Sequence, residues 1–341
     1  MPLTGITFQK KKLKGCKMKI EINLDLVSKF RIELMGIAAI SIFMMHSVQQ
    51  ELLVCNYILY KFFELWGTFG VDVFCLLSGI GIYFSLNKNN DLMIWAKRRL
   101  KRVYVPYLII AIIFNAFILN RSVYSWLLRL STLQYWFAYN DGGWYVSFIL
   151  LMYCISAFAF SKRNREKELS PRLYFLIVIA VLINMLLDVY NHFFYERYVH
   201  FLHAFLAYIL GILLGEKNNR GHNIKRESVL IAVGAAIGAL ILRGILPALA
   251  LSLTGIYKLG SSFLFVSVTS YLLDRVKKIK LLDKMGMVSL EFYLVHVYII
   301  QCVKHYNATY LFQDCFTIWV LFFIYSFAFA IIINKICKII T

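Results

Sequence analysis

Residues 31–50 read RIELMGIAAISIFMMHSVQQ. From Leu34 to Val48 the only ionisable side chain is His46, and a helix over 33–50 approaches the roughly 30 Å thickness of a bilayer's hydrocarbon core at about 1.5 Å per residue. The rest of the chain repeats this pattern. Of its 341 residues 60% are hydrophobic and 16% charged, with 28 Phe and 22 Tyr, a balance that excludes a water-soluble globule. Apolar runs of spanning length recur near 66–86, 103–120, 144–161, 172–188, 200–215, 228–246, 257–274, 288–304 and 314–334. Their continuity predicts helices, because barrel strands would alternate apolar and polar residues. The sixth run is short, and residues 121–143 read as a surface or re-entrant helix. The expected fold is an all-α polytopic integral membrane bundle of about ten transmembrane helices.

The charge distribution orients this bundle. With the N-terminus inside, the inner segments hold 30 of the 37 Lys and Arg and the outer segments hold 7, and positive residues resist translocation. Both termini are therefore expected in the cytoplasm. The formal charge of +19 then records topology in the lipid bilayer and gives no ground for a nucleic-acid partner. Residues 1–30 form a basic cytoplasmic extension ahead of a membrane domain over 31–341. The first span has no cleavage site after it and reads as a retained signal anchor, with Met18 a second candidate start. The seven cysteines form no CxxC pair and have no His at zinc spacing, so no metal is expected; Cys302 and Cys315 are the one pair near a common face.

Ionisable groups inside spans cost about 2.5–3.5 kcal/mol each on insertion scales, so each is a functional candidate. They are Glu33, His46, Asp72, Glu291 and His296. His46 lies roughly 18 Å above the inner face and Asp72 roughly 21 Å, so consecutive spans bring them to similar depth. Two readings are open. A carboxylate beside an imidazole orients it as a general base, or Asp72 caps a local hydroxyl and His46 is a core residue. At the start of the third span, AKRRLKRVYVPY (96–107) spaces Arg98, Arg99 and Arg102 so that they share much of one helical face. This face is either a phosphate clamp or a stop-transfer run against anionic lipid.

Five blocks occur in order: RIELMGIAAISIFMMHS (31–47), GTFGVDVFCLLSGIGIYFSL (67–86), KRRLKRVYVPY (97–107), GGWYVSFILLMY (142–153) and MGMVSLEFYLVHVYII (285–300). In order and spacing they resemble the type 3 acyltransferase membrane family, which includes O-acetyltransferases of bacterial surface polysaccharides. The resemblance runs from about residue 29 to the C-terminus. It implies roughly ten helices, a multi-pass place in the bacterial plasma (inner) membrane, and transfer of an acyl group, usually acetyl from cytosolic acetyl-CoA, to a glycan hydroxyl at the outer face. His46 matches the family's essential histidine, Asp72 the aspartate of its second block, and Arg98, Arg99 and Arg102 the basic cluster associated with CoA phosphates. Ser78, Trp144, Glu291 and His296 fall within its blocks as substrate or structural polar positions.

One position departs from the family pattern. Met35 stands eleven residues before His46, where the family carries Arg, and a thioether cannot bind phosphate or carboxylate. Arg31, one turn earlier, is the nearest substitute. On this reading acetyl-CoA docks by its phosphates at the arginines and extends its arm toward His46. A proton-coupled exporter of polysaccharide or small metabolites is the rival from another class, since buried Asp, Glu and His also suit a carrier.

Overall fold

Lipid offers the backbone no hydrogen-bond partners, so an apolar run that crosses it satisfies its own N–H and C=O groups by coiling. The computed structural model describes residues 23–88, 91–118, 122–137, 143–161, 168–276, 279–313 and 316–340, and every expected run is helical within it. We label the long helices α1 (Arg31–Gln49), α2 (Tyr57–Thr68 continued by Gly70–Lys88), α3 (Leu92–Ile112, extended by a π-helical stretch Ile113–Ile118), α4 (Trp144–Ser161) and α5 (Ser170–Tyr190). They continue as α6 (His192–Asn219), α7 (Arg226–Ile245), α8 (Ala250–Arg275), α9 (Lys280–Met287 and Ser289–His305) and α10 (Phe316–Ile340). Among the described residues seven helices are long and apolar enough to cross a membrane. The number is eight if the two halves of α9, bent by 71°, form one broken span. The N-terminal extension, Met18 and Cys315 lie largely or wholly outside the described residues.

Three boundaries differ from the sequence expectation. The expected short sixth span is a helix of 28 residues. Its first two turns, HFFYERYV, are too polar to register as a span, yet Asn191 caps them by accepting from the Phe194 amide. The segment before 66 is helical from Tyr57, capped by Asn56 accepting from Leu59, where a loop is expected. The eighth helix begins at Ala250, following a single 3-10 turn opened by Pro247, so Lys258 sits more than two turns inside it. Residues 123–137 hold two short helices, Val123–Leu130 and Gln134–Phe137, consistent with a surface element. Their backbone is fastened to α3, where the hydroxyls of Tyr104 and Tyr107 donate to the carbonyls of Leu130 and Arg129 at 2.7 and 2.6 Å.

The core is built where α2 crosses α6. There Gly79 and Gly211 face each other, and a Cβ on Gly79 would lie 2.2 Å from the Tyr208 carbonyl oxygen, one on Gly211 2.1 Å from that of Leu76. Small residues let the two backbones approach closely, which replaces the hydrophobic drive that lipid removes. By contrast α5, α7 and α10 expose much of their apolar surface, as helices facing lipid do. Gly211→Val therefore costs about 3 kcal/mol or more through forced backbone separation. Gly234→Ala, where a Cβ meets nothing within 4 Å, leaves stability unchanged or slightly raised. Thermal unfolding midpoints of the two variants in detergent check this.

Candidate active site

The helix that carries the arginines starts at a firm cap: the Asp91 carboxylate accepts from the Met93 and Ile94 amides, both at 2.9 Å. One face of this α3 helix then turns into the bundle with Trp95, Val103 and Pro106 buried. Arg99 and Arg102, three residues apart, lie toward this face, and both are within electrostatic reach of the buried Tyr153 hydroxyl on α4. Arg98 is about 100° round the helix from Arg99. It is exposed, with its Nε reaching back to the Ile94 carbonyl at 3.4 Å. Arg98 is about 40° from Arg102 but is not among the charges that act on Tyr153, whereas a cation from another helix is. Arg31, at the start of α1, also acts on Tyr153 and on Arg99. Its guanidinium is seated where Gly81 has no side chain, since a Cβ there would fall 1.8 Å from the Arg31 Nη1.

Above this group a cavity of about 160 Å³ opens between α1, α2, α3, α4 and α9. Arg102 and Met35 line it together with Ser78, Tyr145 and Tyr293, and the remaining wall is mostly apolar. Met35 is therefore a wall residue of the cavity, one helical turn beyond Arg31. Arg102 is not a free cation. Its Nη1 lies 2.5 Å from Oε1 of Glu291 and its Nη2 donates to the Met287 carbonyl at 3.2 Å, while Asn334 Nδ2 donates to the same Glu291 oxygen at 2.8 Å. The Glu291 side chain is 0% exposed and that of Arg102 47%.

Beside Tyr293 of the cavity wall, and not themselves among the lining residues, is a pair of histidines. His46 Nδ1 lies 3.0 Å from His296 Nε2, and His296 Nδ1 is 2.8 Å from the Phe292 carbonyl oxygen. The His46 ring is 6.5 Å from that of Tyr293, which is part of the cavity wall. The hydrogen-bond partner of His46 is thus His296 on α9, where adjacency of spans suggests Asp72. Asp72 is buried on α2 and makes no hydrogen bond to another described residue; the charge it feels is that of Lys258 on α8. Trp144 stacks on His200 with ring centroids 5.5 Å apart. Glu33, buried in the first turn of α1, is not among the cavity-lining residues.

Sequence reading passes over Lys258 and a second polar cluster. Asp188 bonds His192 at 2.9 Å and accepts from the Ser252 amide at 2.8 Å. Tyr195 donates to Asn184 at 2.8 Å and lies 3.1 Å from Nε2 of His203. The cluster joins α5, α6 and α8, and its signal in the sequence is a set of polar residues at or near the ends of apolar runs.

The profile of the acyltransferase 3 family, described as an acyltransferase domain, matches residues 34–335. The chain belongs to the acyltransferase 3 family. Comparison with curated proteins and with solved structures gave no match. Membership makes the chain a membrane acyltransferase, and the match takes in His46, the arginines of α3 and the His296 helix, leaving only Arg31 of these groups just before its start. Because Glu291 has no access to solvent, removing its cation leaves a buried charge uncompensated. Arg102→Ala therefore lowers stability by about 2 kcal/mol, less than the roughly 3–5 kcal/mol of fully buried pairs because the guanidinium is half exposed. Adding Glu291→Gln to Arg102→Ala recovers at least half of the lost unfolding midpoint.

Proposed function

We propose that this acyltransferase is an O-acyltransferase that moves an acyl group, acetyl in the first instance, from a coenzyme A thioester in the cytoplasm to a hydroxyl of a glycan or other envelope acceptor. Its place is the plasma membrane of a bacterial cell, where the basic end of the bundle faces the cytoplasm. The observation that carries the reading is the cavity itself, with the Arg102 guanidinium in its wall and the hydrogen-bonded imidazole of His46 6.5 Å from the Tyr293 ring of that wall. Arg31, Arg99 and Arg102 gather around Tyr153 with Glu291 bonded to one of them, a surplus of positive charge suited to a polyphosphate group. The apolar wall above suits an extended thioester arm. His46 lies eleven residues beyond Met35, roughly 16 Å along α1, a distance such an arm can span.

In this scheme Arg31 supplies the cation that Met35 does not, and Met35 contributes apolar wall. His46 takes the proton of the acceptor hydroxyl as its oxygen attacks the thioester carbon. The new C–O bond forms, the C–S bond breaks, and His46 returns the proton to the departing sulfur. Asp72 and Lys258, groups of opposite sign on adjacent helices, act electrostatically on each other.

The test uses purified chain in lipid nanodiscs with radiolabelled acetyl-CoA, together with mass analysis of surface glycans from a deletion strain. His46→Ala is expected to abolish transfer while donor binding persists. Gly81→Ala, which pushes aside only the flexible end of Arg31, is expected to weaken acetyl-CoA binding about tenfold with little loss of stability. Absence of acetyl-CoA binding by the intact chain, or unchanged glycan acylation after deletion, sinks the proposal.

A further inference from the structure

Both nitrogens of His296 have a partner within 3.0 Å. Its side chain is fully buried and enclosed by the rings of Phe43, Phe292 and Tyr293, with centroids at 5.5, 5.3 and 5.7 Å. The Phe292 carbonyl can only accept a hydrogen bond, so the His296 Nδ1 at 2.8 Å carries a hydrogen. A neutral His296 then has its lone pair on Nε2, which points at His46 Nδ1 across 3.0 Å. Two lone pairs at that separation repel each other. The neutral pair therefore has one arrangement: His46 Nδ1–H donates to His296 Nε2, and the lone pair of His46 is on Nε2.

We propose that His296 is a positioning residue that locks His46 in the tautomer with hydrogen on Nδ1, and so makes Nε2 the base in acyl transfer. The inference rests on the acyl-transfer reading above and adds the atom that acts and the residue that selects it. An unconstrained histidine in water prefers the opposite tautomer, in which Nε2 carries the hydrogen and cannot accept one. The lock thus keeps the reactive nitrogen bare before each turnover. When Nε2 takes the hydroxyl proton, the Nδ1–H bond to His296 steadies the resulting imidazolium, and after the proton passes to the thiolate sulfur the pair returns to its starting state. His296 gains and loses no proton in this cycle. The device also needs no carboxylate beside His46, in keeping with the absence of a hydrogen bond between His46 and Asp72.

The experiment is nitrogen NMR on the full chain labelled with ¹⁵N-histidine in nanodiscs, with His46 assigned by the signal lost in His46→Gln, run beside acetyl-transfer kinetics. The expected spectrum has His46 protonated on Nδ1 and bare on Nε2. In His296→Ala the His46 signal moves toward the Nε2–H tautomer, and kcat falls about 100-fold while the KM for acetyl-CoA changes less than about threefold. His296→Gln, whose amide oxygen can accept from His46, keeps the tautomer and recovers about tenfold of the lost kcat; it also reports if His296→Ala fails to fold. A His46 protonated on Nε2 in the intact chain, or a tautomer unmoved in a folded His296→Ala, overturns the proposal. A locked tautomer in a chain that transfers no acyl group overturns the functional reading and the base role with it, and leaves the lock as a structural fact.

Discussion

A carboxylate enclosed in a lipid-solvated protein has to be neutralised by the chain itself, and Glu291 imposes that condition on three helices at once. Its charge is met by Arg102 from α3, and the oxygen that makes this bond is shared with Asn334 from α10. Breaking the arrangement strands a charge where water cannot reach it, so the rotation of α9 is held firmly. His296 lies five residues further along the same helix, about 140° round its axis, and this turns it toward α1 and His46. One helix therefore carries the structural ion pair on one side and the partner of the catalytic candidate on another. The geometry of the second depends on the permanence of the first.

The layers of the structure were unequally legible in the sequence. Apolar runs announce themselves because lipid leaves the backbone no alternative to helix, and the run expected from 288 begins at the bend that divides α9. Helix starts were harder. Ala250 and Tyr57 begin helices in segments whose polar residues resemble loops, and the cues were local, a proline at 247 and an asparagine cap at 56. Within the site, His46, His296 and Glu291 were visible as ionisable residues in apolar runs, and Arg102 as part of a basic cluster. Their pairing was not, because His46 and His296 are 250 positions apart and only the packing of α9 on α1 joins them. Adjacency along the chain suggested Asp72, which in the structure answers to Lys258 on another helix.

The arginine cluster shows a related limit. Spacing alone allows Arg98, Arg99 and Arg102 to share a face, but only Arg99 and Arg102 of the three act on the buried Tyr153 of α4. The cation that replaces it arrives from α1, in a seat made by the missing side chain of Gly81 on α2. No single helix holds this site, and its charge density is a property of the bundle. Position 35 contributes an apolar side chain to the cavity wall, and the nearest guanidinium on α1, that of Arg31, is seated one turn earlier against Gly81.

The bend in α9 adds a last consequence for Arg102. A helix that ends at Met287 leaves carbonyl groups without intrahelical partners. Arg102 caps one of them while it neutralises Glu291, and its remaining surface borders the cavity. Only a planar fork of several donors reaches all three at once, and an ammonium group on a flexible stem does not. Where a basic residue serves topology alone, descendants of this sequence are free to exchange lysine for arginine, since topology counts only the charge. Position 102 is closed to that drift, so its history should read as a frozen letter within an otherwise interchangeable basic alphabet.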